Sequence, residues 1–122
     1  MREEQWTADG EPPKGTDEPT TPFARAVCEV VAAIPAGTVS TYGEVASRAA
    51  ARLGRDDLRP LAARSVGQIL ARCGGTLPWW RVVTVTGALV PHSEATHRWW
   101  LESEGVELDA RGVVALRRSR PS

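Results

Sequence analysis

Few side chains in this sequence are placed to do covalent chemistry. The two cysteines, Cys28 and Cys73, each fall at an apolar position of a helical pattern. Neither belongs to a CxxC motif or a Cys/His cluster with metal-ligand spacing, so both read as buried free thiols, and no metal or other cofactor is expected. What stands out instead is LPWWRVV, where Trp79 and Trp80 sit side by side between a proline and Arg81, just ahead of a strand-like run. An indole offers one N–H donor and no basic nitrogen, so neither tryptophan can act as a nucleophile or a base. The pair either packs a core or presents an aromatic surface to a flat ligand.

The elements that must position this pair are legible from periodicity and caps. Thr21-Pro22 is a helix start, with an N-cap followed by proline at the first helical position. Phe23, Val27, Val30, Val31 and Ile34 then recur at helical spacing until Pro35-Ala36-Gly37 stops the run. TYGE, residues 41–44, fits a capping box and starts a second helix at Tyr42. That helix continues through Val45, Ala46 and Ala49 into a polar, arginine-rich connector. A third helix is expected over 60–73, closed by Gly74-Gly75, with Val66, Ile69, Leu70 and Cys73 on one stripe and Arg64, Gln68 and Arg72 on another. One face serves the core and the other faces a partner.

Beyond the tryptophans, RVVTV, a turn at Thr86-Gly87 and ALV predict a short hairpin. Ser93 can cap a fourth helix, which carries Trp99, Trp100 and Leu101 as core and ends at Gly105. VELDARGVVAL reads as a second hairpin turning over 109–112. The fold class is thus mainly α with small β-hairpins, in the outline of a winged helix-turn-helix, although an ordinary small α/β domain shares that pattern. Three parts are expected: an acidic, flexible N-terminal arm over 1–20, one domain over 21–116 and a basic tail over 117–122.

The 122 residues carry no formal net charge, but the charges are segregated. Residues 1–19 hold two basic and six acidic side chains, and the remainder holds thirteen basic and nine acidic ones. A mildly basic body is therefore masked by an acidic arm. Fourteen of the fifteen basic residues are arginine, which suits phosphate contacts, although coding composition explains the ratio equally well. No run reaches the roughly 18 apolar residues of a membrane span, and the N-terminus has no secretory pattern, so a cytoplasmic protein without membrane contact is expected.

In their order, FARAVCEVVAAIPAGTVSTYGEVA, AARSVGQIL, PWWRVV and WWLESEGV resemble the O6-alkylguanine-DNA alkyltransferases and their non-catalytic, alkyltransferase-like branch. The resemblance runs from about Phe23 to Leu108. In the catalytic branch, it implies, a cysteine stands at the position of Trp79 and a histidine, oriented by a glutamate matching Glu104, stands at the position of Trp80. The thiolate that accepts the alkyl group is thus absent, and no enzyme is expected. Glu104 is left as a structural remnant that accepts hydrogen bonds near the loop. Cys73 falls near the family's hinge asparagine, on the core side of the third helix.

What the resemblance retains is apparatus for extruding and holding a base. It implies that Arg64 inserts into the base stack and that Tyr42 crowds a phosphate. Ser65, Gln68, Arg72 and Arg81 complete the implied DNA contacts. Trp79, Trp80, Leu70, Val82, Val83, His92 and Ser93 form the implied pocket for the alkylated base. Trp80 is open between a core residue and a lid. The connector between Tyr42 and Arg64 is longer than in the catalytic enzymes, while the stretches from Arg64 to Pro78 and from His92 to Glu104 are shorter. The expected partner is double-stranded DNA containing O6-alkylguanine, bound by a monomer that flips the base and promotes nucleotide excision repair through that pathway's proteins. The alternative is a winged-helix DNA-binding or regulatory module without lesion specificity.

Overall fold

A computed structural model describes residues 14–54, 59–89, 94–109, 112 and 114. Helix α1 spans Pro22–Ala32, α2 spans Tyr42–Arg52, α3 spans Arg59–Cys73 and α4 spans Glu94–Ser103. Strand β1 is Ser40–Thr41 and strand β2 is Val82–Val83, and short 3-10 turns form at Gly74–Thr76 and Trp79–Arg81. The mainly helical expectation holds. Among the described residues, no helix is long and apolar enough to cross a membrane.

Local chemistry sets the helix starts. The Thr21 hydroxyl accepts from the Ala24 N–H at 3.0 Å, with Pro22 behind it in the first turn. At α2 both halves of the capping box form: the Glu44 N–H donates to Thr41 Oγ1 at 3.1 Å, and the Thr41 N–H donates to Glu44 Oε1 at 2.9 Å. After α1, Gly37 takes a φ of +82°, a left-handed turn that glycine adopts without steric cost and that sends the chain into β1. These caps are intrinsic to the sequence.

Two cores meet at β2. The first joins Val27, Val30 and Val31 of α1, Val45, Ala46 and Ala49 of α2, Val66 and Leu70 of α3, and Val82. The second joins Val39, Val83, Leu89, Leu101, Val106 and Val114. Successive residues of a strand point to opposite faces, so Val82 and Val83, both fully buried, each enter a different core.

That placement departs from the first expected hairpin. Among the described residues, β2 pairs with β1 in parallel, Ser40 opposite Val82 and Thr41 opposite Val83, and forms no ladder with the segment after the turn. The turn itself exists: the Thr84 N–H donates to the Ala88 carbonyl at 3.1 Å, and Gly87 has a φ of +84°. At the second expected hairpin, the described residues form one antiparallel bridge, Leu108 with Val114, and the Gly112 N–H closes the turn on the Asp109 carbonyl at 2.9 Å.

Two further expectations change. Trp99 is 59% exposed, and α4 is buried instead through Thr96, His97 and Leu101. At 100° per residue, His97 and Leu101 share a side of the helix while Trp99 lies about 200° from His97. The arm is not free as far as residue 20: the Gly15 and Asp17 N–H groups donate to the carbonyls of Ala71 and Arg72 at 2.9 and 3.0 Å. Residues 1–13, the connector at 55–58, His92, Ser93 and the basic tail lie outside the described residues.

Candidate nucleic-acid interface

α3 presents Arg64, Gln68 and Arg72 as exposed side chains, while Val66, Leu70 and Cys73 are buried on its other side. Four-residue spacing puts the three polar side chains on one stripe. Arg64 makes no ion pair with a described residue. Tyr42, the first residue of α2, packs its ring against the first core, and burial pushes its phenol up to about 12, so the group stays neutral near pH 7. Tyr42 and Arg64 thus stand on consecutive helices that pack together.

Ser65, Gln68 and Arg72 also line a groove of about 950 Å³. Its opposite wall comes from Asp17, Glu18, Pro19, Thr20 and Phe23. Part of the basic helix face therefore has an acidic segment of the same chain beside it.

The 3-10 turn that carries the tryptophans is held from below by α4. His97 is fully buried, and its Nε2 lies 2.7 Å from the Trp80 carbonyl oxygen. A carbonyl only accepts, so Nε2 carries the proton. Burial drives His97 down to about 4, against the opposing effect of that hydrogen bond, with Lys14 adding a small push downward. A neutral imidazole is the form that fits. Trp79 is 8% exposed, with its ring centroid 5.3 Å from that of His97 and 6.0 Å from that of Trp80. Lys14 Nζ lies over the Trp79 ring, 4.9 Å from its centroid.

Trp80 has different surroundings. Its ring stacks on Trp100 at 4.1 Å with 14° between planes, and Trp99 meets Trp100 edge-on at 4.9 Å. Its Nε1 is buried without a hydrogen-bond partner among the described residues. That N–H is nevertheless close enough to Glu104 to favour the charged carboxylate. Trp80 is thereby fixed in an aromatic stack on α4, with its outer neighbour Trp99 in solvent.

Several residues implied as DNA or pocket contacts are committed elsewhere. Arg81 donates from Nε to Glu104 Oε1 at 2.9 Å, from Nη2 to Glu104 Oε2 at 2.5 Å and from Nη1 to the Ile34 carbonyl at 2.8 Å. Its side chain is 16% exposed, so Arg81 braces the interior and is not placed to reach a phosphate. Glu104 also accepts from the Gly37 N–H at 3.4 Å. Burial raises its carboxyl, but the hydrogen bonds from Arg81 and Gly37, together with the nearby Trp80 N–H, outweigh burial and hold it below the usual carboxylate value. Leu70, Val82 and Val83, expected to wall a pocket, fill the two cores. His92 and Ser93 fall outside the described residues.

Two features escaped the sequence reading. His97 lies four residues before Leu101, the spacing of a shared buried face, and that was the available clue. The docking of residues 14–17 had none, because it rests on main-chain bonds between segments far apart in sequence.

Comparison with known proteins places this architecture. Residues 22–106 match the family model described as 6-O-methylguanine DNA methyltransferase, DNA binding domain. A protein of Escherichia coli named DNA base-flipping protein is 41% identical over 102 residues, covering 80% of this chain and 73% of its own. A protein of that name from Vibrio parahaemolyticus is 36% identical over 100 residues, covering 79% and 92%. Among solved structures, S. pombe Atl1 in complex with damaged DNA containing O6-carboxymethylguanine matches with a TM-score of 0.62 at 31% identity, over 82% of this chain and 94% of that one. By the family model, the relatives and the fold together, the chain belongs to the 6-O-methylguanine DNA methyltransferase family of DNA-binding domains, on its alkyltransferase-like side.

Proposed function

We propose that this protein is a non-enzymatic sensor of alkylation damage, which binds O6-alkylguanine in duplex DNA by flipping the base and hands the site to nucleotide excision repair. The feature that carries this reading is PWWR on the framework of this family: by the resemblance, Trp79 and Trp80 take the positions where alkyl transfer would need a thiolate and its base, and neither indole can supply them. Relatives named for base flipping, and a structural match solved on damaged DNA, support the DNA partner. In this reading Arg64 fills the gap in the stack and Tyr42 presses on the backbone. Gln68 and Arg72 add contacts along α3. In this reading α3 lies in the minor groove, where sequence is read poorly, which suits a protein that must find lesions in any context.

Transfer of a labelled methyl group from DNA to the protein tests the missing chemistry. None is expected, and labelling of Cys28 or Cys73 would overturn the non-enzymatic reading.

A second reading, a winged-helix module that binds DNA without sensing lesions, has one observation in its favour. Trp79 is nearly buried, between His97 and Lys14, and Trp80 is occupied by its stack on Trp100. This reading predicts strong salt dependence with equal affinity for damaged and undamaged duplexes.

A further inference from the structure

We infer that residues 14–18 act as a built-in strap, which covers the Trp79 ring and part of the α3 face in the free protein and must lift for DNA to bind. The inference rests on the DNA-binding reading of α3 and Trp79 given above.

The strap is a seated element, held by specific contacts. The Gly15 N–H donates to the Ala71 carbonyl at 2.9 Å, the Asp17 N–H donates to the Arg72 carbonyl at 3.0 Å, and the Gly75 N–H returns a bond to the Gly15 carbonyl at 2.8 Å. The helix-end carbonyls of α3, which have no intrahelical donor, thereby acquire partners. Two glycines make the approach possible. A Cβ on Gly15 would lie 2.4 Å from the Arg72 oxygen, and one on Gly75 would lie 2.6 Å from the Lys14 oxygen. Any side chain at either position collides with main chain.

What the strap covers gives it a consequence. Lys14 places its ammonium over the Trp79 ring, so a flat base cannot stack on that face while the strap is seated. Asp17 and Glu18 line the groove whose other wall is Ser65, Gln68 and Arg72. Carboxylates there repel an incoming phosphate backbone and compete for the same helix face. Lys14 on the indole and carboxylates beside Arg72 make the strap a mimic of what DNA would supply, a ring partner and an anionic edge. When the binding-competent form is only part of the population, apparent affinity falls by that fraction, so a strap seated in about nine of ten molecules weakens binding about tenfold.

The test uses the full chain and its Gly15→Val variant, titrated against matched duplexes with and without O6-methylguanine. The variant is expected to bind both duplexes about tenfold more tightly, with the lesion-to-control ratio unchanged. Hydrogen exchange on the unaltered protein gives an independent measure: the Gly15 and Asp17 amides are expected to be protected in the free protein and to lose protection in the DNA complex. Affinity unchanged in a folded variant, or amides that stay protected on DNA, would overturn the strap. Should the variant not fold, the exchange result alone decides. Equal affinity for the two duplexes in both proteins would sink lesion sensing without touching the strap, which stands or falls on the variant comparison and the exchange.

Discussion

Trp79 and Trp80 are neighbours with separate environments, and the difference follows from what each ring touches. Trp79 lies against a buried, neutral His97 and under Lys14, whereas Trp80 is locked to Trp100 on α4. His97 makes the turn sensitive to acid. Its folded value of about 4 lies below the ordinary 6.5, so the unfolded chain takes up a proton that the folded one refuses. Stability is therefore level above pH 6.5 and falls as the pH drops toward 4, by about 3 kcal/mol at most. Glu104, also held below its usual value, adds loss in the carboxylate range. Urea denaturation between pH 7.5 and 4.5 should show a falling midpoint for the protein and a flatter profile for His97→Phe; parallel profiles would remove His97 as the cause. Arg64 belongs to this scale as well. It is exposed on α3, so Arg64→Ala should leave the melting temperature unchanged while weakening binding to an O6-methylguanine duplex by about tenfold or more, roughly 1.4 kcal/mol. Unchanged lesion affinity would take the base-replacing role away from it.

Among the elements, those whose reasons are local were legible in advance. Thr21-Pro22 and TYGE specify helix starts through bonds within four residues, and the apolar stripe of α3 follows from spacing alone. The partner of β2 was not legible, because RVV in sequence does not say that Val82 and Val83 will be split between two cores and paired with Ser40–Thr41. Arg81 was misplaced for a related reason: a basic residue beside the tryptophans suits a phosphate, and its carboxylate partner lies 23 residues away. Its brace to Glu104 and the Ile34 carbonyl ties the turn to the segments that directly follow α4 and α1. Removing one partner of a largely buried pair leaves the other without compensation, so Glu104→Ala should cost about 3 kcal/mol in a denaturant titration. A loss below about 0.5 kcal/mol would place the pair with ordinary surface ion pairs. Arg81→Ala should destabilise similarly yet leave the salt slope of DNA binding unchanged, since a phosphate contact would lower that slope by about one.

Across the whole molecule, the family relationship and the charge distribution meet on one surface. The body of the chain is basic and the first nineteen residues are acidic, a division visible in the sequence, while the docking of residues 14–17 on α3 emerges only in three dimensions. The structure thus joins the acidic segment to the helix face proposed to meet DNA, and it places the Trp79 ring under Lys14 of the same segment. Damage sensing by this arrangement means that an alkylated guanine, once flipped, gains contacts that an undamaged guanine does not. The most direct measurement is a fluorescence anisotropy titration of the full chain with two duplexes that differ only by one O6-methyl group. Tighter binding to the methylated duplex by about tenfold or more, roughly 1.4 kcal/mol, is the result expected; equal affinity at every salt concentration would contradict lesion recognition and leave a DNA-binding module in its place.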